Sequence, residues 1–182
     1  MTGRGFIFDQ ARCVNCKACS AACKLENGCS FPARTVLTYN EQLRRGIAAD
    51  HLSVACNHCG IPVCMNGCPA SAIERDSSTN ALIINKFKCL GCNYCVWNCP
   101  YDAPKYDPGE RMAGKCHLCY TIVTNGAQPA CASACPTGAL KYDDIRMLDP
   151  LVKPHWLEDF GIDPSLRFRD NPKTLPLEII PS

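Results

Sequence analysis

Sixteen of the 17 cysteines stand in four blocks of four, and each block opens with a C-x2-C pair. The blocks are Cys13, Cys16, Cys19, Cys23; Cys56, Cys59, Cys64, Cys68; Cys89, Cys92, Cys95, Cys99; and Cys116, Cys119, Cys131, Cys135. The first and third read C-x2-C-x2-C-x3-C. The second widens the middle gap to four residues, and the fourth widens it to eleven. Three blocks end in Cys-Pro, at Pro69, Pro100 and Pro136, while the first runs into Lys24. Such a sequence must fold as tight loops held by whatever its thiolates bind.

A 4Fe–4S cube takes four thiolates, one per iron. Three cysteines at x2 spacing share one loop and reach three corners, and the fourth corner is best reached from elsewhere. Proline after the fourth cysteine stops the loop from running on as helix. Sixteen thiolates in this grammar imply four 4Fe-4S clusters, and the chain reads as an electron wire. Zinc is the rival metal, but it favours pairs of C-x2-C, and the middle cysteine of an x2-x2 series would be left over. Disulfide frameworks belong mostly to small secreted proteins. This one has 182 residues and no legible secretory signal peptide of its own.

The apolar share is 47%, but without cysteine it falls to roughly 38%, low for a conventional core. The clusters must act as much of the core, so an apoprotein is expected to be largely unfolded. The net charge of +2 suits a subunit mostly covered by partners better than a freely diffusing carrier. No apolar run has the length that spans a bilayer, so membrane attachment is expected through another subunit. No Gly-rich phosphate loop, G-x-S-x-G or H-E-x-x-H occurs, and a non-catalytic role is expected. No basic stripe interleaved with aromatics suggests nucleic acid.

Short strand-like runs flank the blocks, at residues 5–8, 52–55, 103–106 and 139–142. Residues 72–75 and 81–84 around a turn-rich 76–80 read as a hairpin with a five-residue loop. Strand, cluster loop, hairpin, cluster loop, strand resembles one two-cluster bacterial ferredoxin module. The expected fold is α+β: two nested bacterial-ferredoxin-like modules of βαββαβ type plus an extended C-terminal tail. Residues 50–110 form the inserted two-cluster module. Residues 1–49 and 111–145 form a discontinuous one around it. Residues 146–182 form a proline-rich partner-binding tail. In two-cluster ferredoxins the fourth cysteine of each run ligates the other cluster. By that analogy cluster 1 takes Cys13, Cys16, Cys19 and Cys135, and cluster 2 takes Cys116, Cys119, Cys131 and Cys23. Cluster 3 takes Cys56, Cys59, Cys64 and Cys99, and cluster 4 takes Cys89, Cys92, Cys95 and Cys68.

Arg12, Lys17, Lys24, Lys86, Lys88, Lys105 and Lys115 lie near these ligands in sequence. Positive charge there raises reduction potential, although most such residues are solvated surface cations. Tyr94, Trp97, His117 and Tyr120 are expected to pack around clusters and exclude water. His58 stands between two cysteines, but its block already supplies four thiols. Cys29 is expected to be a structural free thiol. The tail carries Pro150, Pro154, Pro164, Pro172, Pro176 and Pro181 with Trp156, Phe160, Leu166, Phe168 and an apolar run at 175–180. That many apolar anchors on an extended segment suits a strap laid on this protein or on a partner, and a partner's groove better than self-packing.

The segments FIFDQARCVNCKACSAACKLENG, CNHCGIPVCMNGCPASAI, KCLGCNYCVWNCPYDAPKY and KCHLCYTIVTNGAQPACASACPTGAL resemble the iron–sulfur electron-transfer subunits of molybdopterin oxidoreductase complexes. Dimethyl sulfoxide, polysulfide and tetrathionate reductases are of that group, as are related formate dehydrogenases. The tail's PSLRFR resembles the dimethyl sulfoxide reductase branch. The resemblance implies a hetero-oligomer. Its partners would be a molybdopterin-containing (Mo/W) catalytic subunit and an integral-membrane quinone-binding anchor subunit. The protein would be peripheral to the membrane, on a side the sequence leaves open. A soluble polyferredoxin-like subunit of a tungsten aldehyde oxidoreductase or hydrogenase is the alternative.

Overall fold

The computed structural model describes residues 3–28, 30–39, 50–146, 148 and 160–169. Along them run β1 (Arg4–Asp9), α1 (Ala18–Asn27), β2 (Arg34–Tyr39), β3 (Asp50–Ala55) and α2 (Val63–Asn66). Then come β4 (Ile73–Arg75), β5 (Leu82–Ile84), α3 (Tyr94–Asn98), β6 (Lys105–Asp107) and β7 (Met112–Gly114). Last are α4 (Tyr120–Thr124), α5 (Ala130–Ser133), β8 (Leu140–Asp144) and β9 (Leu166–Arg169).

The strand expected before the first block is β1. It buries Gly5, Phe6, Ile7 and Phe8 in succession, as a strand covered on both faces does. It lies between β8, antiparallel, and β9, parallel. Phe6 faces Tyr142 in register, and their rings meet edge to face at 5.6 Å. Gly5 sits where a side chain could not, because a Cβ would lie 2.2 Å from the Ser165 carbonyl oxygen.

The hairpin read from residues 72–84 is β4–β5, with Ile73 paired to Ile84. Its loop is closed by Asp76, whose Oδ1 accepts from the Thr79 amide at 2.7 Å and the Thr79 hydroxyl at 2.6 Å. Two further hairpins had no place in the sequence reading. β2 pairs antiparallel with β3, and β6 with β7. The expected module boundaries, at 49/50 and 110/111, fall between the strands of those hairpins. A hydrogen-bonded ladder, rather than a linker, therefore crosses each boundary. The signals were present: Thr35, Val36 and Thr38 are β-branched, and Pro108-Gly109 marks a turn.

Helix length follows the residue after the fourth cysteine. Where proline stands there, the helices stay short: four residues in α2, five in α3 and four in α5. In the first block Lys24 lets α1 run for ten residues, to a left-handed cap at Gly28. α1 packs on α5, and α2 packs on α3.

The core is partly sulfur. Phe6, Phe8, Leu52, Leu140, Tyr142, Leu166 and Phe168 form one buried cluster with Cys19, Cys23, Cys56, Cys116 and Cys131. Cys64, Ile73 and Leu82 form a second.

Part of the tail lies on this protein itself: Leu166 and Phe168 are buried in its own core. Phe168 meets Phe8 edge to face at 6.5 Å. The same stretch also clips the second block's loop. Gly60 donates to the Asp163 carbonyl at 2.7 Å, and Ser165 donates to that of Asn57 at 2.8 Å. β9 thus completes the sheet on the edge of β1 opposite β8. Trp156, the apolar run at 175–180 and Cys29 lie outside the described residues.

Candidate metal centres

All four blocks share one backbone device. The second residue after each opening cysteine is left-handed: Asn15 (φ 55°), His58 (45°), Gly91 (66°) and Leu118 (64°). For asparagine and glycine this costs little, but for leucine it is strained. A left-handed residue in such a turn aims successive amides into one concavity, which suits anionic sulfur. The Leu118 amide lies 3.3 Å from Cys116 Sγ, and the Asn15 amide donates to the Cys13 sulfur.

The fourth cysteines share a second device that sequence reasoning missed. Each Cys-Pro is followed by alanine three residues after the proline, at Ala72, Ala103 and Ala139. The Ala72 amide reaches Cys68 Sγ at 3.3 Å. Those of Ala103 and Ala139 donate to Cys99 and Cys135, and Ala33 serves Cys23. The repeat C-P-x-x-A was the legible signal.

The thiols crowd one another in sets drawn from different blocks. Burial pushes Cys13 up, and the neighbouring Cys19, Cys135 and Cys16 push in the same direction. Cys23 is raised to about 11 by burial and then by Cys131, with Cys119 adding to it. Cys59 is raised to about 12 by burial and then by Cys56, Cys99 and Cys64. Cys95 is raised to about 11 by burial and then by Cys64, Cys89 and Cys68. Cys116, fully buried, has Cys131, Cys56 and Cys23 as thiol neighbours. Cys135 differs. Burial pushes it up, but amides of Leu140, Ala139 and Thr137 and the Thr137 hydroxyl outweigh that, and it lies below the ordinary value. Cys16 and Cys92 are exposed.

The donor set fits iron–sulfur cubes. The sixteen described cysteines are all unpaired thiols. Among the described residues no three histidine, cysteine or carboxylate side chains converge closely enough for one metal ion. A cube takes one thiolate per iron, and sixteen unpaired thiols are the right kind of donor for it. Among the described residues the buried Arg34 Nε and His58 Nε2 have no hydrogen-bond partner.

The cations near the cysteine blocks divide by burial. Arg12, Lys17 and Lys24 are exposed. Lys86, Lys88 and Lys105 are exposed and face Glu110, Glu74 and Asp102. Lys115 is buried, with its ammonium on the carbonyls of Leu82 and Cys116. Arg34, which the sequence reading passed over, is buried too.

His58 is a structural residue. Its Nδ1 accepts from the Leu82 amide at 2.9 Å. Burial, then the Lys115 charge, holds it well below the usual histidine value, so it is neutral. His117 and Tyr120 pack edge to face at 5.7 Å. Trp97 is 73% exposed, with its ring 6.4 Å from that of Tyr94.

Residues 47–145 match the family model described as a 4Fe-4S dicluster domain. The sequence is 38% identical over 155 residues to the B subunit of anaerobic dimethyl sulfoxide reductase from Haemophilus influenzae, covering 79% of this protein and 75% of that one. It is 31% identical to the subunit of the same name in Escherichia coli K12, covering 96% and 92%. It is also 35% identical to the thiosulfate reductase electron transfer subunit PhsB of Salmonella typhi, covering 75% and 73%.

Proposed function

This protein belongs to the 4Fe-4S dicluster family, and from that membership we propose that it is a non-catalytic subunit carrying four 4Fe-4S clusters. It relays electrons between a molybdopterin catalytic subunit and a quinone-linked integral-membrane anchor. Each cluster, when bound, stores and passes on a single electron. The protein's own residues hold the clusters, set their spacing and exclude water.

The proposed ligand sets are Cys13, Cys16, Cys19 with Cys135; Cys116, Cys119, Cys131 with Cys23; Cys56, Cys59, Cys64 with Cys99; and Cys89, Cys92, Cys95 with Cys68. Support comes from the thiol neighbourhoods, from the pairing of β1 with β8, and from the packing of α1 on α5 and α2 on α3. The same facts support two nested ferredoxin-like modules.

The observation that carries the relay is continuity. Arg34 has both Cys19 and Cys131 as neighbours, Cys116 has Cys56, and Cys95 has Cys64. Those three junctions order the proposed clusters 1, 2, 3, 4 without a gap. Among the described residues no helix is long and apolar enough to cross a membrane. Attachment at the membrane would therefore fall to the anchor.

Anaerobically purified complex should contain about sixteen iron and sixteen labile sulfide per copy of this subunit, four of each per cube. An integral-membrane partner should co-purify. A value near twelve iron would remove one cluster, and substantial zinc would overturn the reading. Cys135→Ser tests the crossover. It should damage the cluster on Cys13, Cys16 and Cys19 and leave that on Cys116, Cys119 and Cys131 mostly intact, as resolved by EPR. Loss confined to the latter cluster would sink it.

A further inference from the structure

Arg34 opens β2 and is 2% exposed. Its Nη1 donates across the β2–β3 hairpin to the Ser53 carbonyl at 3.2 Å and the Ser53 hydroxyl at 3.1 Å. Its guanidinium carbon stands 4.2 Å from the centre of the Phe6 ring. Its Nε–H has no partner among the described residues. A guanidinium sealed from water needs a nearby negative charge to be tolerable. Its leading charged neighbours are not carboxylates but the thiols of Cys131, Cys116, Cys19 and Cys23. Ser53 Oγ, which accepts from Arg34, is itself 3.4 Å from Cys19 Sγ. Those four cysteines come from two proposed clusters, with Cys19 in one and the other three in the next.

We propose that Arg34 is a buried counter-charge shared by the cluster on Cys13, Cys16, Cys19 and Cys135 and the cluster on Cys23, Cys116, Cys119 and Cys131, and that it raises the reduction potential of both. The inference rests on the four-cluster reading above. An added electron is stabilised by a fixed positive charge, and strongly so where water is excluded. Arginine suits the position because it stays protonated even when buried. Its free Nε–H is a further donor for sulfur on the cluster side. Arg34 is thus a positioning residue for electrons: it is buried and ligates no iron. Lys115 sits beside Cys64 at the next junction, so the other pair of clusters has its own cation and does not depend on Arg34.

The test is an EPR-monitored redox titration of the intact complex with Arg34→Gln and Arg34→Lys. In the glutamine variant the reduced-to-oxidised ratio of the two flanking clusters should fall at least about tenfold at a given potential, which is about 59 mV for a one-electron step. The other two clusters should change by less than about threefold. The lysine variant should keep all four within about threefold of the parent. An unchanged glutamine variant with full iron would overturn the proposal, as would an equal shift at all four clusters. If the glutamine variant loses iron, the lysine variant decides. A tenfold fall with the charge retained would show that shape, not charge, sets the potential. A parent complex short of sixteen iron would instead fail the four-cluster reading on which this stands.

Discussion

Removing the iron is expected to unfold the protein as a whole. The buried cluster that joins β1, β3, β8 and β9 includes Cys19, Cys23, Cys56, Cys116 and Cys131. Stripped of metal, these become crowded thiols, and the loops lose what holds them in left-handed turns. Leu118 stands at φ 64°, a strained angle for leucine, with its amide on the Cys116 sulfur. The helices that carry the block cysteines are mostly four or five residues long, far below the length at which a helix persists alone. Structural metal binding is in such cases folding energy. Anaerobic chelation should abolish the far-UV circular dichroism of the sheets and expand the hydrodynamic radius in step with iron loss. A compact apoprotein with native-like dichroism would show that the aliphatic core suffices.

Loss of the docked tail segment should be nearly as damaging. Phe168→Ala removes a ring that is 6% exposed and packed against Phe8. Truncating a buried phenylalanine costs about 3–5 kcal/mol, against a total stability of about 5–15 kcal/mol for an ordinary domain. Deleting residues 160–182 also takes away β9 and the bonds from Gly60 and Ser165 that steady the second block's loop. The expected outcome is a lower melting temperature for Phe168→Ala. For the deletion it is partial loss of iron, first from the cluster proposed on Cys56, Cys59, Cys64 and Cys99. A deletion variant that keeps all its iron and its melting temperature would return the tail to a role on a partner alone.

Much of the site could be read before folding because ligand spacing is a local property. Three thiols on one loop need only a tight turn, and C-x2-C writes that turn into adjacent residues. The same holds for the hairpin at 72–84 and for the proline that shortens α2, α3 and α5, whose absence after Cys23 lengthens α1. The left-handed residue between the first two cysteines was not legible. Asparagine, histidine, glycine and leucine share no side-chain chemistry that would announce it.

What the sequence determined by itself was therefore the chemistry: thiolate number, loop spacing and the family of electron carriers they belong to. The tertiary structure decided which distant pieces meet. It laid Leu166 and Phe168 along β1, placed ladders across both expected module boundaries, and sealed Arg34 among thiols from two blocks. Each of these is a pairing set by burial of apolar surface or by the need to neutralise a buried charge. The ladders leave local signals, in the β-branched residues of β2 and the turn at Pro108-Gly109, but the docking of the tail and the burial of Arg34 leave none. Arg34 in particular reads in sequence as one more surface cation, and only the packing of β2 on β3 against Phe6 removes it from water.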